Sequence, residues 1–463
     1  MTIKTEHLRD FKALLPENQW TEDQNIIAPH LSEWRDKFHG STPLMLMPMS
    51  TADVQKILIL ANKAEVNLSI QGGNTGLVGG STPGLENREE ILVSLKKMSR
   101  VEAPCSDTMT ITVEAGAILS TVHTEAEPYH FPLSLASEGS CTIGGTMATN
   151  AGGIHVIRYG TMRHLVAGIE AVLPDGTIFS NLGGLKKDNT GFDLQNLLIG
   201  SEGTLGIITK AKLKLFPKPN TLVTGWLSVH DIDKCLPLMN ALQTLSNQGL
   251  HAFEVMGKTG LDFVEKHMAG KAPVSQLAPW SILFDIEIEG PDSLEKALAE
   301  CLDSGAITDA VIAQNKAQQK ALWALRENLS EAQKYEGGSI KHDISLPLEQ
   351  LASFMKQAPH RIQSIVKGAR PTPFGHFGDG NLHYNIMQPE TMAKETFLNH
   401  WPEMNAAIHD LVCSMKGSIS AEHGIGTLKR EELALRHPEK VAAFKKIKAA
   451  LDPKDILNKG RVI

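Results

Sequence analysis

Two periodicities divide the chain. Apolar residues recur at helical spacing over residues 5–15 (Leu8, Phe11, Leu14, Leu15) and over 52–65 (Val54, Ile57, Leu58, Leu60). Ser50 or Thr51 caps the second run. Leu44–Met47, closed by Pro48, reads as a strand, as do Val66–Ile70, Ile91–Ser94 and Thr110–Val113. A helix over Leu119–Glu125 follows. Gly168–Leu173 and Thr177–Ser180 then form a hairpin around Pro174-Asp175-Gly176, and Ile208–Leu215 is a further strand. Pro217 and Pro219 mark a boundary.

Beyond that boundary the rhythm changes. Strands at 222–229, 251–256 and 281–289 alternate with helical runs at 232–245 and 294–302. That alternation predicts an antiparallel sheet with helices on one face. Lys316–Lys334 has the period of one longer helix, carrying Arg326 and Ser330 one turn apart on a common face. A strand over Ser339–Ile344, a helix over Leu348–Met355, and helical runs over Glu403–Met415 and Leu428–Leu451 complete the pattern. The chain is read as α+β in three parts: 1–218, 219–400 and a helical C-terminal segment, 401–463.

Composition narrows the class. At 463 residues and 42% hydrophobic, the chain has ample core for two or three domains. A formal charge of −7 without a long basic run argues against nucleic acid as a partner. The five cysteines form no C-x-x-C pair, which argues against a disulfide scaffold, a zinc ribbon and a ligated iron–sulfur cluster. The first residues are mixed and charged, and no run of roughly eighteen apolar residues occurs. A soluble, reduced, cytoplasmic protein with no transmembrane segment is expected.

Candidate chemistry gathers in two places. The strand ending at Ile70 runs into Gln71–Gly80, a glycine-rich loop with Asn74, Thr75 and Ser81 as extra donors. Backbone N–H groups after a strand can converge on an anion. The loop is neither G-x-G-x-x-G nor G-x-x-x-x-G-K-[ST], so neither the Rossmann nor the P-loop fingerprint applies. The second place is FGHFGDGNLHYN, residues 374–385, with Ala421-Glu422-His423-Gly424 downstream. His376 and His383 are imidazole donors, Glu422 a carboxylate, and Asn385 faces the same side as His383 if 382–387 is a strand. Two histidines and one glutamate with an open position suit a catalytic metal site. Singly, each residue has a plainer explanation: a turn histidine, a solvated helix face, an exposed lysine. As a set they suit a small dianion with a reactive hydroxyl.

Three ordered blocks carry a resemblance over the first half: QGGNTGLVGG, ASEGSCTIGGTMATNAGG with RYG after it, and GSEGTLGIIT. Together they resemble the vanillyl-alcohol-oxidase type of FAD-binding domain. The resemblance implies that 1–218 binds FAD, with the first block on its pyrophosphate. Gln71, Gly72, Gly73, Asn74, Thr75, Gly76 and Leu77 of that block would contact the cofactor. So would Ser137, Glu138, Gly139, Thr142, Gly144, Gly145, Asn150, Gly152, Tyr159 and Gly160 of the second block. Glu202, Gly203, Gly206 and Ile207 of the third block, together with Asn458, complete the implied set. Residues 71–83 contain no histidine or cysteine, so the flavin is expected without a covalent link.

RENLSEAQ, SIKHDISLP, FGHFGDGNLHYN and ISAEHGIG are similar to the C-terminal half of FAD-linked D-2-hydroxyacid dehydrogenases. The likeness is greatest to members acting on D-2-hydroxyglutarate, then on D-lactate. It makes 219–400 a substrate (cap) domain and 401–463 the segment completing the active site. His376, His383 and Glu422 would ligate a divalent metal, Zn²⁺ first and Mn²⁺ as the alternative. Asn385 would touch substrate near C1, His423 would be the base, and Arg326, Ser330 and Lys341 would hold carboxylate oxygens. Ser330 stands where the family often has Thr, and Asn458-Lys459-Gly460-Arg461 where it commonly has Asn-Pro-Gly-Lys. The implied reaction converts D-2-hydroxyglutarate to 2-oxoglutarate, with metal-assisted proton removal and hydride transfer to flavin N5. A D-lactate or broad-range D-2-hydroxyacid dehydrogenase is the alternative, and a metal-dependent hydrolase the rival from another class. Reoxidation would fall to a separate acceptor, an electron-transfer flavoprotein or a quinone, and the family's habit leaves a homodimer open.

Overall fold

The computed structural model of the chain describes residues 3–274 and 277–463, with the backbone alone at Pro291. It divides into two compact units. The first comprises Met1–Gly153, Tyr159–Lys218 and Glu422–Ile463; the second comprises Ile154–Arg158 and Pro219–Ala421. The C-terminal part expected at 401–463 is thus divided at Ala421. The helix Trp401–Ser414 buries Met404, Ile408 and Leu411 in the core of the second unit.

In the first unit, β1 (Trp20–Thr21), β2 (Met45–Leu46), β3 (Leu68–Gln71) and β4 (Ile91–Ser94) form a sheet in the order β1-β2-β4-β3. β2 and β3 both run parallel to β4. The connection from β2 to β3 is the helix Thr51–Ala64, whose N-cap Ser50 accepts from Asp53 N–H. Its Val54, Ile57, Leu58 and Ala61 are buried against that sheet. A second, antiparallel sheet holds β5 (Thr110–Glu114), β6 (Val166–Val172), β7 (Ile178–Ser180) and β8 (Ile207–Lys214) in the order β5-β8-β6-β7.

The chain's last residues complete this unit. Leu68 N–H donates to Ile456 C=O at 2.8 Å, and Leu457 bridges Leu68 in parallel, covering the outer side of β3. Arg461 and Glu90 are both fully buried and pair through two hydrogen bonds. Arg461 also donates to Thr82 C=O at 2.6 Å, and Glu90 accepts from Gly84 N–H at 2.8 Å. Lys448, buried on the helix Pro438–Leu451, donates to Thr204 C=O, Leu457 C=O and Asp452.

The second unit holds one seven-stranded antiparallel sheet, ordered β12-β9-β11-β10-β14-β15-β13. Its strands are β9 (Leu222–Val229), β10 (Leu250–Gly257), β11 (Trp280–Glu287), β12 (Asp309–Ile312), β13 (Ser339–Ser345), β14 (Arg370–His376) and β15 (Asn381–Met387). Helices cover both of its faces, not one. Leu227, Phe253, Val255 and Phe284 pack against the helices Cys235–Leu245, Pro291–Asp303 and Leu351–Ile365. The neighbouring residues Trp226, Met256 and Leu283 point the other way, onto Lys258–His267 and Lys316–Glu327. β10 is buried at every position, the mark of a strand covered on both sides.

The long helix expected over 316–334 also differs. It stops at Glu327; Asn328, at ψ −8°, ends it, and Leu329–Ala332 forms a separate turn of helix. Asparagine favours such ends because its side chain competes for backbone groups. Arg326 pairs with Glu254 of the sheet, whereas Ser330 is exposed. No helix among the described residues is long and apolar enough to cross a membrane.

Removing one member of a buried ion pair leaves the other uncompensated, at a cost of about 3–5 kcal/mol. Arg461→Ala is therefore expected to lower the urea midpoint of the first unit by that equivalent. Glu90→Gln/Arg461→Met should recover most of the loss.

Candidate functional site

Alternation along a strand and register across it decide which side chains meet. Glu254 opposes His376, Phe374 opposes His383, Asn385 opposes Thr372 and Lys341, and Asp343 opposes His383. Each such pair lies on one side of the sheet, the side bearing Trp226, Met256 and Phe374. The β14–β15 connection is tight, with Gly375 at φ +155° and Gly380 at φ +88°. A Cβ on Gly375 would lie 2.6 Å from Asn381 C=O, so only glycine fits between the two histidine strands.

The His376 and His383 rings lie 5.7 Å apart at 77°. Ala421 N–H donates to Asp343 C=O at 3.4 Å, and Glu422 and His423 follow it directly. Ligand atoms of His376, His383 and Glu422 all lie within 4.8 Å of one another, as do those of Asp343, Glu422 and His423. Two imidazoles and a carboxylate at that spacing fit a divalent cation with an open position.

Behind this cluster stands Glu254, which the sequence reading missed. It is fully buried. Its Oε1 accepts from His376 Nδ1 at 2.6 Å and its Oε2 from Arg326 Nε at 2.7 Å. Burial acts to raise its pKa, but the charges of His376 and Arg326 prevail and hold the carboxyl down at about 2. The Arg326 guanidinium also lies 4.7 Å above the Phe374 ring. The signal was present as a single carboxylate inside the apolar strand sequence LHAFEVMG. Gln333 was missed too. It is buried, accepts from Asn385 Nδ2 at 2.8 Å, and its Nε2 meets no acceptor among the described residues. Lys341 is exposed on β13, beside Asn385, and Ser330 is exposed on the turn Leu329–Ala332.

One further carboxylate shapes this face. Asp285 accepts from Thr224 Oγ1 at 2.5 Å and from Trp323 Nε1 at 3.1 Å, tying the helix that carries Arg326 to β11. Burial pushes its carboxyl up to about 6, against those two hydrogen bonds and with Glu254 adding to the rise.

In the first unit the three glycine-rich blocks come together. A Cβ on Gly72 would lie 2.3 Å from Thr142 Oγ1, and one on Gly73 2.2 Å from Ser140 C=O. Gly200 N–H donates to Met147 C=O at 3.0 Å, and Glu202 N–H to Ala148 C=O at 2.8 Å. Among the described residues, no acceptor meets the backbone N–H groups of residues 73–77, and a Cβ on Gly76 or Gly139 would meet open space. A run of such donors fits a pyrophosphate. Several candidates are instead engaged in the fold. Gln71 is fully buried and donates to His30 C=O and Ser81 C=O. Asn458 accepts from Ile70 N–H and donates to Glu202 C=O. Glu202's carboxylate accepts from Ile425 and Gly426 N–H, and burial lifts its pKa above the usual range all the same. Asn150 accepts from Arg163 N–H, and Tyr159 packs edge-on against Phe216, 4.8 Å between centroids. Thr142 caps the short helix Ile143–Ala148, which carries Gly144 and Gly145; Ile207 is buried at the start of β8.

Residues 43–180 match the family model for an FAD binding domain, and residues 218–462 that for the C-terminal domain of FAD linked oxidases. The chain is 36% identical over 461 residues to the mitochondrial D-2-hydroxyglutarate dehydrogenase of Arabidopsis thaliana, covering 98% of this chain and 80% of that protein. It is 36% identical over 468 residues to the mitochondrial enzyme of that name from Danio rerio, covering 98% and 85%. A D-2-hydroxyglutarate–pyruvate transhydrogenase of Saccharomyces cerevisiae is 32% identical, covering 100% and 95%. Among solved structures, p-cresol methylhydroxylase superposes with a TM-score of 0.74 at 16% identity over 99% of this chain and 97% of that one, a likeness of fold. The α+β fold is that of the vanillyl-alcohol-oxidase flavoproteins. The expected cytoplasmic location does not stand, because the plant and fish relatives are named mitochondrial. Scattered cysteines and a mixed, charged start do not separate one reducing compartment from another.

Asp285 binds a proton more tightly in the folded chain than in the unfolded one, where an aspartate titrates near ~3.9. Its contribution to stability is thus present below about pH 4 and lost as pH rises through about 6. The loss amounts to roughly 3 kcal/mol. Urea midpoints measured from pH 4 to 7 should show this decline in the wild type, and Asp285→Asn should flatten it.

Proposed function

The chain belongs to the FAD-linked D-2-hydroxyacid dehydrogenases, and on that premise we propose that it oxidises D-2-hydroxyglutarate to 2-oxoglutarate at a divalent metal. The observation that carries the reading is the triad His376, His383 and Glu422, its ligand atoms within 4.8 Å of one another. Its two histidines lie on the side of the sheet that also bears Asn385 and Lys341. Zn²⁺ and Mn²⁺ both suit two nitrogens and an oxygen.

Bound FAD supplies a two-electron acceptor, and a bound divalent cation supplies Lewis acidity. The residues do the rest. His423 accepts the proton of the C2 hydroxyl on an imidazole nitrogen, a task suited to histidine near neutral pH. Asn385 and the metal ligands orient the C1 end. Arg326 and Lys341 supply two cations for two carboxylates, and Ser330 supplies a hydroxyl for a carboxylate oxygen. A cation at the distal end favours a second carboxylate over a methyl group, since a charge left without its partner discriminates strongly. Reoxidation falls to a separate acceptor, an electron-transfer flavoprotein or a quinone.

Under anaerobic conditions D-2-hydroxyglutarate should bleach the flavin rapidly, and a chelator should abolish the bleaching. Equal or faster bleaching by D-lactate would overturn the dianion reading. His423→Asn should keep its flavin while the bleaching rate falls by about 10²–10⁴-fold.

A further inference from the structure

Glu254 has been given no role above, yet it touches two residues that have one. Its two oxygens take different partners, His376 Nδ1 at 2.6 Å and Arg326 Nε at 2.7 Å, from strand β14 and from the helix Lys316–Glu327. With Oε2 taking the Arg326 Nε–H, Glu254 faces His376 as an acceptor at Oε1, so Nδ1 of His376 donates to it and Nε2 is the nitrogen left to ligate a cation. Arg326, anchored through Nε and resting on the Phe374 ring, keeps the two terminal nitrogens of its fork for another group.

We propose that Glu254 is a positioning residue that couples the cation site to the carboxylate site. One oxygen sets the ligating tautomer of His376; the other sets the plane of the Arg326 guanidinium. The proposal rests on the roles of His376 and Arg326 given under Proposed function. Both affinities then depend on the same carboxylate, so a change there moves metal binding and acid binding together. A carboxylate that merely balanced buried charge would alter stability and leave both affinities as they were.

The test uses FAD-loaded, metal-stripped protein titrated with Zn²⁺ and with Mn²⁺ against a chromophoric chelator. Glu254→Gln should weaken metal binding about 10–100-fold, the range for partners behind a ligating histidine. At saturating metal, the product 2-oxoglutarate, which cannot reduce the flavin, should bind at least ten-fold more weakly, followed by its perturbation of the flavin spectrum. His376→Ala is the reference. If it leaves metal affinity unchanged, the metal reading itself fails. If it weakens the metal while Glu254→Gln changes neither affinity, the coupling role of Glu254 is overturned. Glu254→Asp keeps the charge on a shorter stem and serves where the Gln variant does not fold. It should retain one affinity and lose the other, and two unchanged affinities would again refute the proposal.

Discussion

A charge can stay in a protein interior only if it is paired, and Glu254 meets that demand from two sides at once. Its carboxylate sits in a strand whose other positions are all buried, where an unpaired anion would cost several kcal/mol. Arg326 and His376 answer it, and in doing so they fix the approach of a helix to the sheet and the direction of an imidazole. The candidate metal cluster and the candidate carboxylate grip therefore share one fixed point. Asp285, one strand over, meets burial differently: its carboxyl is pushed up to about 6, and it holds Trp323 of the same helix by a hydrogen bond.

The strands, the glycine-rich blocks and the boundary signal at Pro217 and Pro219 were legible because each is local: a period, a turn residue, a run of small side chains. Glu254 was not, because its partners lie 72 and 122 residues away in sequence. The burial of both sheet faces was hidden for a related reason. A strand buried on both sides loses its alternation, and a continuous apolar run does not say what covers it. The break at Asn328 shows the opposite error, since periodicity continued through a residue whose side chain favours a helix end.

Side-chain hydrogen bonds sort the residues of the glycine-rich blocks. Gln71 and Asn458 fall among residues implied to contact the cofactor, but their amides are engaged by His30, Ser81, Ile70 and Glu202. Their side chains hold the glycine-rich loop and its neighbours in place. Residues 73–77, by contrast, present backbone donors that no acceptor among the described residues takes up. The distinction between holding a loop and touching a ligand is one of hydrogen-bond accounting, and only coordinates supply it.

The interleaving of the two units has a consequence for synthesis. One unit is uninterrupted from Pro219 to Ala421, so nearly all of it has been made before the ribosome reaches the other's final segment. β3 must wait for Asn458, 388 residues after Ile70, and Glu90 for Arg461. Domains tend to fold as their chain emerges, and closing so long a loop carries an entropic cost that only the finished segment offsets. The first unit therefore begins first and is completed only when the segment carrying Asn458 and Arg461 has been made, and until then its sheet edge and Glu90 lack the partners they have in the folded chain.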